Sequence, residues 1–325
     1  MRALRCEGPG GLADLGVRDV LDPEPGPGQV LLDVRAASVD FVDTLIADGR
    51  YQLRVPVPFT PGNNVAGVVT AVGPDCTRFA VGDRVHGMAF VGAFAERVRV
   101  PEAQLRATPD GLGHDLACLA GSNYRTAYDT LVSTARVRPG ENVVILGASG
   151  AVGSAAIALG KAFGARVIAC ASSPEKLEFC RTAGADEVVP YTEPDFKDRL
   201  KAACGERGAD VVLDTVGGDY AEPALRATGY GGRYVVIGFA AGEVPRVPLN
   251  LVLLKGSTIL GYEIGAFQRH HPAEAETNRE ALEAMLTDGR LKPPITGRYT
   301  LESAAEAMRT VAGREKYGVT IIEVT

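Results

Sequence analysis

Three glycines, Gly147, Gly150 and Gly153, interrupt the apolar run VVILGASGAVGSAA that begins at Val143. A strand that ends in such a turn and passes directly into a helix can hold a dinucleotide. Ala148, Ser149, Gly150, Ala151, Val152 and Gly153 read as A-x-G-x-x-G, the G-x-G-x-x-G fingerprint with alanine in its first place. Gly150 would let a pyrophosphate approach the backbone, and Gly153 would let the helix pack closely on the strand. Free N–H groups and the dipole at the helix start favour the negative charge. Glycines also serve plain helix-on-strand packing, so the strand–turn–helix setting is what gives this match its weight.

NAD-binding units place an Asp or Glu about 20 residues further on, where it holds the ribose 2′-hydroxyl. Here that stretch is RVIACASSPEK, which offers Ser172, Ser173 and Lys176 and no acid at the strand end. Hydroxyls and an ammonium suit a 2′-phosphate, so the expected cofactor is NADPH. Ser173 also reads as a helix N-cap, with Pro174 at the first helical position and Lys176 on the surface. The two readings are compatible, because a capped helix start is itself an anion site. The missing acid and the shape of the turn also disfavour a Rossmann-like methyltransferase.

No metal is expected. Zinc needs Cys, His or carboxylate ligands converging as a tetrahedral set. His86 and His114 read as loop residues without a partner at ligand spacing, and His270 and His271 as a solvated loop entering a helix. Cys6, Cys76, Cys118, Cys170, Cys180 and Cys204 form no C-x-x-C pair and read as reduced, mostly buried thiols.

The elements that position the glycine turn follow from hydrophobic period. From Ala127 to about Leu260, apolar strands (ENVVILGA, RVIACA, EVVPY, ADVVLDTV, GRYVVIGF, STILGY) alternate with helical segments such as SGAVGSAAIALGKAFG, PEKLEFCRTAG and YAEPALRATG. Non-alternating Val/Ile runs imply a parallel sheet covered on both faces. Before Leu116 the chain is different. Short Val-rich runs (QVLLDVRAASVD, AGVVTAVGP, GDRVHGMAF, AFAERVRVP) are punctuated by Gly and Pro, which suggests a compact barrel-like or sandwich-like unit. Helical AETNREALEAMLTDG and ESAAEAMRTVAG and a strand VTIIEV close the chain. The fold class is α/β, with two domains.

A chain of 325 residues with 46% hydrophobic and 23% charged residues can bury a large core. Its net charge of −6, from 34 basic and 40 acidic residues without long runs, argues against a nucleic-acid surface. No stretch approaches about 18 consecutive apolar residues, so no membrane partner is expected. MRALRCEGPGG lacks the apolar core of a secretory signal, and a cytoplasmic location is expected.

Taken together, ASVDFVDTLIADGRY, PFTPGNNVAGVVTAVG, VGDRV, GSNYRTAYDTL, VRPGENVVILGASGAVGSAA, ASSPEKL and GREKYGVTII resemble the zinc-free quinone oxidoreductase branch of the medium-chain dehydrogenase/reductase superfamily, the relatives of zeta-crystallin. The resemblance spans essentially the whole chain. It implies a GroES-like β-barrel-type catalytic domain, from residues 1–121 and 262–325, around a Rossmann dinucleotide-binding domain, 122–261. It also implies a homodimer or homotetramer, of which the homodimer is the expectation here, and hydride transfer from NADPH to quinones or α,β-unsaturated carbonyls.

By the same resemblance, Thr126 lies beside the nicotinamide, and Lys176, Tyr191 and Arg314 contact the adenosine 2′-phosphate. Gly238, Phe239 and Ala240 fall where the sheet ends over the nicotinamide. The positions of the catalytic zinc ligands in metal-dependent cousins hold Asp40, Asn63 and Ser122, and the adjacent glutamate is Asn64. Asp40 stands where the family usually has Asn and is expected at the cofactor, with its hydrogen bond to the nicotinamide ribose or amide made differently. Arg125, beside Thr126, is expected to be a surface cation; pointed inward, it would attract an acidic acceptor.

Hydride transfer needs alignment rather than a protein nucleophile. The oxygen of an enone gains charge and needs a donor, for which the candidates are Tyr51, Asn63 and Asn64. Tyr51 reads equally as a proton donor or as a half-buried loop aromatic. Asp43 is expected to fix its loop through backbone hydrogen bonds. Two other functions fit the same motifs, a 2-enoyl-thioester reductase and a low-turnover NADPH-binding structural or regulatory protein.

Overall fold

The computed structural model describes residues 1–8, 10–52, 54–313 and 315–324. The chain folds as two compact units, Met1–Asn123 with Ile295–Thr325, and Tyr124–Pro294. The fold class is α/β.

The first unit is built mainly of antiparallel strands. β1 (Arg2–Cys6) and β2 (Leu15–Asp19) form a two-stranded sheet that the Val-rich pattern does not announce. β3 (Gln29–Ser38) is the organising strand; α1 (Phe41–Ala47) follows it, then β4 (Asn64–Val72), β5 (Arg84–Met88), β6 (Arg97–Pro101), β7 (Leu105–Ala107) and the short α2 (His114–Ala117). β3 pairs with β4 and with β6, and β4 with β5. Every second residue of β3 from Val30 to Val34 is buried, the period of a strand with one face on a core. That core gathers Leu4, Val30, Leu32, Val65, Val85, Phe94 and Leu105. His86 lies within β5 and His114 opens α2, so neither is the loop residue the sequence suggested.

The second unit begins at Tyr124, the second residue of α3 (Asn123–Asp129), which continues as a π-helical turn over Thr130–Thr134. Strands and helices then alternate: β8 (Asn142–Leu146), α4 (Ala151–Ala162), β9 (Arg166–Ala171), α5 (Pro174–Thr182), β10 (Glu187–Pro190), α6 (Phe196–Cys204), β11 (Ala209–Asp214), α7 (Ala221–Ala227), β12 (Thr228–Val236), α8 (Asn250–Lys255) and β13 (Thr258–Gly261). The six strands form a parallel sheet in the order β10-β9-β8-β11-β12-β13. All five residues of β8 are buried, as expected for a strand covered on both faces. The strand order changes direction between β8 and β11. In such sheets the crevice outside the carboxyl ends of the strands at that point receives ligands.

Two helices complete this unit, α9 (Ile264–His270) and α10 (Pro272–Thr287). The sequence expectation assigned residues 262–294 to the first domain. Here they pack with the second unit, and Asn278 on α10 donates to Asp129 (2.8 Å) and Ser133 (2.8 Å). His270 ends α9, a helix where the sequence suggested a loop. The chain returns to the first unit through β14 (Ile295–Thr300), α11 (Ala304–Ala312) and β15 (Val319–Glu323). β15 pairs antiparallel with β3, and Met308 and Val311 of α11 join the first core. Among the described residues no helix is long and apolar enough to cross a membrane.

Candidate functional site

The Gly147–Gly153 turn joins the end of β8 to α4 at the switch point. It is tied to the neighbouring strand by Ala148 N–H, which donates to the Cys170 carbonyl (3.1 Å). Ala148 is fully buried and Ser149 nearly so, while Gly150, Ala151 and Val152 are partly exposed. Gly153 is held so tightly that a Cβ there would sit 2.3 Å from the Gly147 carbonyl oxygen and 2.6 Å from the Ala148 Cα. Gly150 is the residue before the helix, and no side chain caps α4. The N–H groups of the first turn are therefore left for a ligand, and the dipole favours an anion.

Beyond β9 the polar side chains converge as the sequence suggests. Ser173 caps α5, its Oγ accepting the Lys176 backbone N–H (3.4 Å) with Pro174 at the first helical position. Lys176 Nζ donates to Ser172 Oγ (3.3 Å), and burial holds this ammonium below its usual pKa. Burial raises the Tyr191 phenol, and the neighbouring Ser172 side chain opposes that rise. The Tyr191 ring lies 4.5 Å from that of Tyr220, which sequence reasoning missed. Ser172, Ser173, Lys176 and Tyr191 thus form one cluster, with an ammonium and hydroxyls where a carboxylate would stand for NAD. Arg314 lies outside the described residues.

The end of the sheet carries the third segment. Gly238 N–H donates to the Asp214 carbonyl (3.2 Å) and Ala240 N–H to that of Thr215 (3.1 Å), which straps residues 238–240 beside the end of β11. Phe239 is partly exposed and lies against Gly217. Sequence reasoning missed what holds this loop. Asp214 is buried, its Oδ1 accepts the N–H groups of Val216 and Gly217 (both 2.8 Å), and its Oδ2 accepts the Tyr234 hydroxyl (2.6 Å). The signal was there, an acid closing the apolar strand ADVVLD. Thr126 is nearly buried on α3, and its carbonyl accepts from Thr130 Oγ1 (2.8 Å).

Arg125 corrects an expectation. It is not a surface cation but 3% exposed, with Nε 3.4 Å from Asp129 Oδ2. Burial lifts the Asp129 carboxyl above its ordinary value, opposed by hydrogen bonds from Tyr262 and Asn278.

In the first unit the named polar residues gather around Asp40, at the start of α1. Asp40 Oδ2 accepts from Asn64 Nδ2 (2.6 Å), and Oδ1 accepts from Asn123 Nδ2 (2.6 Å) and Ser38 Oγ (3.1 Å). Ser122 lies near enough to oppose the rise in the Asp40 pKa. Asn64 Nδ2 also donates to Ser38 Oγ (3.1 Å), so both of its N–H groups are taken up inside the protein. Asp43 Oδ2 accepts the Asp40 backbone N–H (2.8 Å), the loop-fixing role expected of it. Burial raises both carboxyls, and the charge of Asp40 pushes Asp43 further up. Asn63 is buried, with its Oδ1 unpartnered. Tyr51 is half-buried and packs against the first core.

This donor set does not fit zinc. Asp40 is occupied by neutral donors, Asn63 and Ser122 are weak ligands at best, and among the described residues no three His, Cys, Asp or Glu side chains converge as metal ligands would.

Comparison with known proteins agrees with the architecture. Residues 26–110 match the family described as the alcohol dehydrogenase GroES-like domain, and residues 151–285 match the zinc-binding dehydrogenase family. The chain is 33% identical to a quinone oxidoreductase-like protein 2 homolog of Nematostella vectensis, over 99% of its own length and 88% of that protein's. It is 33% identical to the quinone oxidoreductase of Homo sapiens, over 96% and 94% of the two lengths. Among solved structures it is similar to the Thermus thermophilus quinone oxidoreductase, described alone and in complex with NADPH, with a TM-score of 0.85, 32% identity, and coverage of 99% of this chain and 100% of that one. The first unit is thus the GroES-like domain and the second the Rossmann domain. The chain belongs to the zinc-free quinone oxidoreductase branch of the medium-chain dehydrogenase/reductase superfamily.

Proposed function

We propose that the protein is an NADPH-dependent oxidoreductase that reduces quinones or α,β-unsaturated carbonyls without a metal. The observation that carries this reading is the cluster of Ser172, Lys176 and Tyr191 beyond β9, beside the uncapped start of α4. The first turn of α4, residues 150–153, would bind the pyrophosphate through backbone N–H groups. Ser172, Ser173, Lys176 and Tyr191 would hold the 2′-phosphate, and a dianion beside Lys176 would offset the desolvation that now lowers its pKa. Thr126 and residues 238–240 would seat the nicotinamide. Bound there, the cofactor supplies a hydride. The protein contributes orientation and a hydrogen-bond donor for the acceptor oxygen as it gains charge. With both N–H groups of Asn64 engaged by Asp40 and Ser38, Asn63 and Tyr51 are the donors we propose, and Asp40 serves to hold Asn64 and Asn123.

We further propose a homodimer. β13 is an unpaired edge of the parallel sheet. It sits beside exposed apolar side chains: Leu253 and Leu254 on α8, and Tyr230, whose ring lies against Gly256.

Steady-state oxidation of NADPH and of NADH, measured with quinones, enones and 2-enoyl thioesters in parallel, tests the assignment. Turnover of a quinone or enone with a marked preference for NADPH is expected. Turnover confined to enoyl thioesters would move the substrate class. NADPH binding without turnover of any acceptor would favour a structural or regulatory role.

A further inference from the structure

Arg125 is a buried guanidinium without a full set of acceptors. A guanidinium remains charged in proteins and presents five N–H groups in a planar fork. Among the described residues, Nη1 reaches Gln268 Oε1 alone, at 3.5 Å. Nε approaches Asp129 Oδ2 at 3.4 Å without the alignment of a hydrogen bond, and Nη2 has no acceptor although it is buried.

Asp129 reaches Arg125 at Nε without a hydrogen bond, and its oxygens also serve other donors. Oδ2 accepts the Tyr262 hydroxyl (2.7 Å) and Oδ1 accepts Asn278 Nδ2 (2.8 Å). The carboxylate therefore balances the charge of Arg125 while leaving Nη2 without an acceptor among the described residues. Leaving a buried charged donor unmet is costly, so a group that supplies two acceptor oxygens is favoured there. Gln268 lies on α9, which has no buried residue of its own. Such a helix yields more readily than a core element. Arg125, Asp129, Tyr262, Gln268 and Asn278 all belong to the second unit, and Arg125 adjoins Thr126 in sequence.

We infer that Arg125 is a specificity-determining residue whose unmet Nη2 N–H groups receive an anionic oxygen group of the acceptor substrate, a carboxylate or a phosphate. This rests on the NADPH-dependent reduction proposed above. An acceptor carrying such a group would gain a bidentate, charge-assisted contact, while Asp129 keeps the site near neutrality when no substrate is present.

The test compares one benzoquinone bearing a carboxylate, the same quinone bearing a phosphate ester, and the neutral carboxamide, in wild type, Arg125→Met and Arg125→Lys. Wild type is expected to favour at least one anionic quinone in kcat/KM. Arg125→Met should remove that preference, about tenfold or more, through KM, and leave the carboxamide within about twofold. Arg125→Lys should restore part of the preference by keeping the charge without the fork. Retained carboxamide turnover shows that the variant is folded. Equal loss for all three quinones, or no anionic preference in wild type, overturns the inference while the proposed reduction stands. If no quinone is turned over, calorimetric titration of the carboxylate and phosphate quinones into wild type and Arg125→Met still decides the anion site, and absent or equal binding overturns it.

Discussion

Asn64 Nδ2 donates to Asp40 Oδ2 across 2.6 Å, linking the first residue of β4 to the residue that opens α1. Asn123 and Ser38 donate to the other oxygen. The carboxylate is thus buried and held by neutral donors, with the charge of Lys316 also favouring its ionised form. Asp40→Ala would strand three donors at about 1–3 kcal/mol each, partly offset by removal of the buried charge. A net loss of about 3 kcal/mol is expected in calorimetric melting. Asp40→Asn should fall between the two, because its amide sets one N–H group against another. An unchanged melting temperature for Asp40→Ala would refute this role.

Asp43 predicts a pH dependence of opposite sign to that of an ion-paired acid. Burial and the neighbouring Asp40 charge raise its folded pKa. The folded state then binds the proton more tightly than the unfolded chain, whose carboxyl titrates near about 3.9. Its contribution to stability is therefore lost as pH rises from about 4 through the raised value. Asp43→Asn, which keeps an oxygen for the Asp40 N–H, should gain in melting temperature over wild type as pH increases across that window. A constant difference from pH 4 to 8 would show that Asp43 is not strained by its charge.

Gly153 and Gly150 separate packing from binding. Gly153→Ala puts a Cβ 2.3 Å from the Gly147 carbonyl oxygen, an overpacking worth about 1–3 kcal/mol, so stability and NADPH affinity should fall together. At Gly150 a Cβ would meet only the same oxygen, at 3.3 Å. Gly150→Ala should therefore lose much less stability than Gly153→Ala yet bind NADPH more weakly in a fluorescence titration. Undiminished affinity would remove the diphosphate from this turn.

Lys176→Ala should raise KM for NADPH about tenfold or more, as loss of a charge-assisted contact implies, and leave KM for NADH nearly unchanged. Equal effects on both cofactors would discard the 2′-phosphate assignment.

The apolar strip beside β13 gives the fifth expectation. Leu253→Glu combined with Leu254→Glu places two charges where 81% and 72% of those residues are exposed in the isolated chain. Sedimentation should show a dimer for wild type and a monomer for the double variant. A monomeric wild type would end the homodimer proposal.

The sequence by itself determined whatever depends on local period and local chemistry. The alternation of apolar strands and helices, the glycine turn after β8, the Ser173 cap and the acid-free stretch RVIACASSPEK were legible because each is set by neighbours within a few residues. Burial and partners were decided by tertiary structure. Arg125 reads as a surface cation until Asp129 and Gln268, the latter 143 positions away, enclose it. The Asp40 network joins Ser38, Asn64 and Asn123 from separate segments, and Asp214 finds Tyr234 on the adjacent strand. β15 adds to β3 only when residues near the two ends of the chain meet. Hydrogen-bond satisfaction in the interior is a property of all the groups that converge on a point, and their convergence is not encoded in any one window of the chain.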